Sequence, residues 1–213
     1  MSFEQPLSQV LPADLPHRDD LIAKGARHLE LVVEANKIMN LTRIVDPHEA
    51  AVKHVLDSVT PWRRLAGVKT VLDAGTGAGF PGIPLAIVLP QVHFVLSESI
   101  QKKARFVSSV VETLGLANVT VTAERAESFL GKKHAQIVLA RAVAPIAKAL
   151  ELFAPAIKKG TLLLLYKGPD VTVEIEEAQP LLKRAKVSAR IVERYELPNE
   201  MGARTLVELS ALR

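Results

Sequence analysis

The chain has 213 residues, 48% of them hydrophobic and 23% charged, with a formal net charge of +4 and no cysteine. That is chain enough for one main domain with an extension, and the balance of a globular protein rather than a disordered one. The missing thiols exclude disulfides, thiolate metal sites and cysteine nucleophiles, while the charge reads either as a solubility charge or as attraction for a polyanion such as nucleic acid.

The opening "MSFEQPLSQVLP" lacks the basic-then-apolar order of a secretion signal, and the apolar run "TLLLLY" is too short to cross a bilayer. A cytoplasmic protein is expected. Leu21, Ile22, Leu29, Val32, Val33 and Ile38 recur at helical spacing and predict an amphipathic helix over 18–40. Asp46 and Pro47 form an N-cap and N1 pair, which opens a second helix through about Ser58 until "TPWRR" breaks it. Residues 1–66 therefore read as a helical extension, and 67–213 as a separate cofactor-binding domain.

From Val68 the pattern alternates. "VKTVLDA", "VHFVLSE", "NVTVTA", "AQIVLARA" and "GTLLLLYKG" predict five strands. "PGIPLAIVL", "QKKARFVSSVVETLGL" and "PIAKALELFAPAI" predict intervening helices. Such alternation implies a parallel sheet covered on both faces. "KVSARIVERYEL" and "ARTLVELSAL" follow with no helix between them and should pair antiparallel at one edge. The expected fold is α/β and Rossmann-like, a mostly parallel seven-stranded sheet ending in a hairpin.

In such a sheet, ligands bind beyond the carboxyl ends of the strands. Gly75, Gly77 and Gly79 stand there, in "DAGTGAGFPGIPLA". A dinucleotide fingerprint would place its third glycine at position 80, where this chain has Phe80, followed by Pro81 without an N–H. Asp73 would repel a phosphate and attract an ammonium group. A phosphate-free adenosyl ligand with a cationic tail fits better, and S-adenosyl-L-methionine is such a ligand. Glu98, at the end of the second strand, suits ribose hydroxyls. Ala126 and Glu127, after the third strand, are candidates to read the adenine edge. Arg141 closes the fourth strand, where it steers RNA phosphate, pairs with Asp73 or Glu98, or binds the ligand's carboxylate.

The blocks "NKIMNLTRI", "KHVLDS", "DAGTGAGFPGIPLAI", "ESIQKKARF", "ARAVAP" and "YKG", in this order over roughly residues 30–210, resemble the bacterial small-subunit ribosomal RNA guanine-N7 methyltransferases of the RsmG or GidB type. The resemblance implies a class I S-adenosyl-L-methionine-dependent methyltransferase acting on N7 of a single guanine, guanine 527, in 16S rRNA or the small ribosomal subunit. It also implies that Gly75, Phe80, Glu98, Ser99, Ile100, Ala126, Glu127 and Arg141 line the cofactor site. The chain departs from the family pattern at Ala35, Ala74, Gln101 and Ala140.

N7 of guanine carries a lone pair and no proton, so its methylation needs alignment and electrostatics rather than a general base. Phe80 is the expected stacking surface for a base or the adenine ring. Lys167, ending the fifth strand, is a candidate contact to RNA phosphate or guanine O6; with Arg141 it is the expected positioning residue. Arg43, Lys53, His54, Arg63, Arg64, Lys102, Lys103 and Arg105 are expected to form a phosphate-facing surface. His54 has no companions at metal-ligand spacing, and no metal is expected. A monomer without membrane attachment is expected. The rival readings are a methyltransferase for another RNA or a small molecule, an NAD-dependent oxidoreductase, and a non-catalytic RNA-binding module.

Overall fold

A computed structural model describes residues 2–142 and 144–212. The extension contains α1 (Glu4–Val10), α2 (Arg18–Met39), α3 (Pro47–Ala50), a π-helical turn (Ala51–Leu56), α4 (Asp57–Val59) and α5 (Trp62–Leu65). Alternating elements follow: β1 (Thr70–Ala74), α6 (Gly82–Val88), β2 (His93–Ser97), α7 (Gln101–Thr113), β3 (Val119–Thr122), α8 (Ala126–Lys132), β4 (Ile137–Arg141), α9 (Ile146–Lys158) and β5 (Leu162–Lys167). Then come α10 (Val171–Ala185), β6 (Val187–Glu196) and β7 (Ala203–Ala211). The helices α1, α5, α8 and α10 lie where no element is predicted.

The sheet has seven strands in the order β3-β2-β1-β4-β5-β7-β6. β1 pairs parallel with both β2 and β4, so the strand order reverses there, and a crevice opens beyond Ala74. Only the terminal hairpin runs antiparallel, with Tyr166 opposite Leu206 and Ile191 opposite Val207.

Strand side chains alternate between two cores because successive residues face opposite ways. Val71, Phe94, Leu96, Leu139 and Leu164 join one core; Leu72, Val95, Val138, Leu163 and Leu165 join the other. The first core takes in Phe3, Leu7, Leu21 and Leu29 of the extension. The second is closed by α9 and α10 through Ile146, Phe153, Ala178 and Leu182. Sheet and extension thus share one continuous apolar interior.

Asp46 caps α3 as expected, its side chain accepting from Glu49 N with Pro47 in the first turn. The single helix predicted to run to Ser58 is instead widened by the π-helical turn. The Asp57 N–H, which an α-helix would direct to Lys53, donates to Val52 O. The Lys53 carbonyl accepts instead from Arg141 Nη1 at 3.0 Å. The distortion therefore ties the extension to the end of β4. Among the described residues no helix is long and apolar enough to cross a membrane.

Candidate functional site

β1 delivers Asp73 and Ala74 to the crevice, and the chain then turns sharply. The turn consumes its own amides. Gly75 N and Thr76 N donate to Ser97 O, Gly79 N and Phe80 N to Thr76 O, and Ile83 N to Gly79 O. Few N–H groups are left for a phosphate, which agrees with the argument from Phe80 and Pro81. Gly77 has φ +61, and a Cβ there would meet nothing closer than Gly75 O at 4.0 Å, so it faces open space. Gly79 serves packing instead: at φ +98, a Cβ would lie 2.5 Å from Ile83 Cδ1.

Asp73 is fully buried. Its Oδ2 accepts from Thr76 Oγ1 at 2.6 Å and from Gly82 N at 2.9 Å. Oδ1 is buried without a partner among the described residues. Burial pushes the carboxyl up to about 6, against hydrogen bonds from Thr76 and Gly82 that pull it down. The orphaned Oδ1 is an unused hydrogen-bonding valence beneath the turn, although Asp73 does not itself line the adjoining cleft.

A cleft of about 780 Å³ lies beside this turn, lined by Gly75, Ser97, Ser99, Ala126, Glu127 and, from α9, Leu152 and Phe153. The structure thus brings Gly75, Ser99, Ala126 and Glu127 together. Glu98 is nearly buried, and its Oε1 accepts from Ile100 N at 2.8 Å. That bond fixes the carboxylate at the start of α7 and leaves Oε2 for a hydroxyl donor. Ile100 itself is 53% exposed, an apolar surface with no protein cover. Glu124, Arg125 and Lys148 also line the cleft, and the sequence pattern gave no signal for them. Leu152 and Phe153 on one wall, Gly75 at the turn and the polar side chains of Ser99, Glu124, Glu127 and Lys148 fit an adenosyl ligand with a charged amino-acid tail, whereas Asp73, Gly77, Glu98 and Ile100 do not line this cleft.

Phe80 does not offer a stacking surface. Its ring is buried between His28, 4.5 Å away by ring centroid, and His54 at 4.6 Å, with the Arg141 guanidinium 5.6 Å from the ring centre. The extension covers it, and only its backbone belongs to the turn. His54 likewise leaves the predicted phosphate-facing surface. It is buried, it shares a hydrogen bond of 3.0 Å with Thr42 Oγ1, and desolvation aided by Arg141 lowers its pKa to about 3. His28 donates from Nε2 to Ala78 O at 2.8 Å, and burial lowers it to about 4. Both imidazoles are neutral at physiological pH.

A second cleft of about 1030 Å³ opens at the ends of β4 and β5, lined by Ile44, Lys53, His54, Arg141, Lys167 and Glu174, among others. Arg141 pairs neither with Asp73 nor with Glu98. Its Nη1 reaches Asp57 Oδ2 and Ser58 Oγ, each at 3.3 Å, because the π-helical turn presents those groups to it. Asp57 Oδ1 also accepts from Tyr195 OH at 2.8 Å and faces Arg204 at 3.7 Å. This buried hub joins extension, β4 and hairpin, and sequence reasoning missed it. Lys167 bonds Ala144 O at 3.0 Å and Glu174 at 2.7 Å.

The remaining basic candidates divide. Arg43 is exposed beside Ile44, and Lys53 lines the second cleft while paired to Glu49 at 2.7 Å. Lys102 and Arg105 are exposed and Lys103 half-buried on α7; Lys102 donates to Ile38 O at 3.3 Å. Arg63 pairs with Asp14 and lies over Trp62, and Arg64 pairs with Glu193 and donates to Val192 O. Neither of these two lines either cleft. Among the described residues no three His, Asp or Glu side chains gather as a metal site.

The profile of a family described as GidB, rRNA small subunit methyltransferase G, matches residues 22–201. A "Ribosomal RNA small subunit methyltransferase G" from Solibacter usitatus is 58% identical over 98% of this chain and 100% of its own length. A protein of the same name from Carboxydothermus hydrogenoformans is 39% identical, over 88% and 82%. Among solved structures, an O-methyltransferase from Bacillus cereus in complex with SAH superimposes with a TM-score of 0.60 at 19% identity, over 98% of this chain and 96% of that one. The O-methyltransferase TomG from Streptomyces achromogenes, in complex with SAM, gives 0.56 at 18%, over 89% and 90%. Those two likenesses establish a class I methyltransferase fold. By profile, identity and coverage together, the chain belongs to the rRNA small subunit methyltransferase G family.

Proposed function

We propose that this protein transfers a methyl group to N7 of guanine 527 in 16S rRNA, presented as RNA or within the small ribosomal subunit. The cofactor is S-adenosyl-L-methionine, which supplies an electrophilic methyl on a sulfonium sulfur when bound. The observation that carries the reading is the pair of adjoining clefts at the carboxyl edge of the sheet. One is shaped for an adenosyl ligand; the other is wide, basic and open enough for a nucleobase. Ala144 and the end of β4 stand between them.

In this reading the chain's residues bind and align. Gly77 lets the donor lie against the backbone, and Asp73 Oδ1 takes its ammonium. Glu98 takes ribose hydroxyls, with Gly75, Ser99, Ile100, Ala126 and Glu127 around the adenosine. The N7 lone pair needs no proton removed, so no residue is assigned as a general base. Arg43 and Lys53, with Lys102, Lys103 and Arg105, supply the phosphate-facing rim. The target base must leave its stack, at a cost of about a few kcal/mol. Residues 1–66 serve as the extension and 67–213 as the catalytic domain, and the enzyme acts as a cytoplasmic monomer.

Incubation with labelled methyl donor and 16S rRNA, or small subunits, from a strain lacking the enzyme tests the reading. Mass spectrometry should find 7-methylguanosine at one position. Label at another nucleoside, or none in RNA, would overturn it.

A further inference from the structure

Lys167 is held unusually well for a lysine at a cleft. Its Nζ donates to Ala144 O at 3.0 Å and pairs with Glu174 Oε1 at 2.7 Å, and the side chain is only 15% exposed. Glu174 is itself fixed, because Oε1 also accepts from Ile146 N at the start of α9. A lysine ammonium has three donors. Among the described residues two are taken, and one N–H remains in the second cleft that Lys167 lines. Ala144 lines the cofactor cleft as well. The ammonium therefore stands on the wall shared by the two clefts, where transferred methyl and acceptor atom would meet.

The other cations of this cleft are differently placed. Arg141 binds Lys53 O, Asp57 and Ser58 through Nη1, and Arg204 is held by Asp57 and Ala203 O; none of these partners lines the cofactor cleft. Lys53 has one anchor, Glu49, which does not line the cofactor cleft.

Beside N7, guanine presents the acceptor O6, whereas adenine presents an amino donor. A fixed N–H donor next to N7 donates to the first and repels the second. We propose that Lys167 selects guanine by donating its remaining N–H to O6, and that Glu174 is the positioning residue that aims it. This rests on the proposed acceptor cleft and gives it a recognition element.

The experiment compares RNA carrying guanine at the target with RNA carrying 2,6-diaminopurine, which keeps N7 and the 2-amino group but replaces O6 by an amino group. The wild-type enzyme should prefer guanine about 10- to 100-fold in kcat/KM. Lys167→Met should reduce that ratio to about 3-fold or less. Glu174→Ala should do the same with Lys167 still present, and Glu174→Gln, which still offers an acceptor oxygen, should retain most of it. Calorimetric titration with S-adenosyl-L-methionine verifies that each variant keeps a folded cofactor site; should Lys167→Met lose it, the two Glu174 variants decide alone. A phosphate contact would slow both substrates equally, lower the salt slope by about 1 and leave the ratio intact. That outcome, or a wild-type enzyme indifferent to the substitution, overturns the proposal. A wild-type enzyme that makes no 7-methylguanosine from the guanine RNA fails the underlying function instead, before any variant is compared.

Discussion

At the scale of single residues, Gly77 and the two buried histidines give the sharpest expectations. Gly77 combines a left-handed backbone with open space where a Cβ would be. Gly77→Val should abolish S-adenosyl-L-methionine binding in calorimetry, at a stability cost of about 1–2 kcal/mol. Retained affinity would remove the turn from the cofactor site. His28 and His54 are neutral when folded, with pKa near 4 and 3 against about 6.5 in the unfolded chain. Below pH 6.5 the unfolded chain thus binds more protons, and stability is lost as pH falls towards 4 and then 3. Asp73 acts oppositely: with its carboxyl raised to about 6, it adds stability as pH falls from 6 towards 3.8 and loses that contribution as pH rises through 6. One carboxyl offsets only one of two imidazoles, so the unfolding free energy from denaturant titrations should hold steady above pH 6.5 and decline below it by a few kcal/mol in all. Equal values at pH 7 and 4.5 would contradict the burial of neutral rings.

Between elements, the Asp57 hub is the critical joint. It is 4% exposed in its side chain and serves Arg141, Arg204 and Tyr195 from three different parts of the chain. Asp57→Ala would leave two guanidinium groups without their carboxylate. The expected loss is about 3–5 kcal/mol, measured by chemical denaturation. This joint was invisible beforehand, because Arg141 and Asp57 are 84 residues apart and nothing local marks the pair. The strands were legible for the contrary reason. Short apolar runs punctuated by glycine and proline signal buried strands from local pattern alone. The glycine turn was legible as a turn of unusual backbone, because Gly75, Gly77 and Gly79 crowd one strand-to-helix connection and all three take positive φ. Phe80 misled because its cover comes from α2 and the π-helical turn. A ring beside a ligand loop looks the same in sequence whether it is capped by another segment or bare. Helix α10, which carries Glu174, also lies outside the predicted pattern.

For the molecule as a whole, the extension is less separable than a boundary at residue 66 suggests. Phe3, Leu7, Leu21 and Leu29 belong to the same apolar cluster as Ile83, Phe94, Leu139 and Leu164 of the sheet side. Removal of residues 1–66 would uncover that face and strand Phe80 and Arg141 without partners. The fragment 67–213 should show no cooperative thermal transition and should bind a hydrophobic dye. A sharp transition and intact donor binding in that fragment would demonstrate two independent folding units.

The three stacked rings of His28, Phe80 and His54 have a last consequence for how the donor is received. They brace the glycine turn from behind against two segments of the extension. In the proposed site the receptacle is thus braced before anything enters it, and the freedom surrendered on docking falls mainly on the incoming nucleoside.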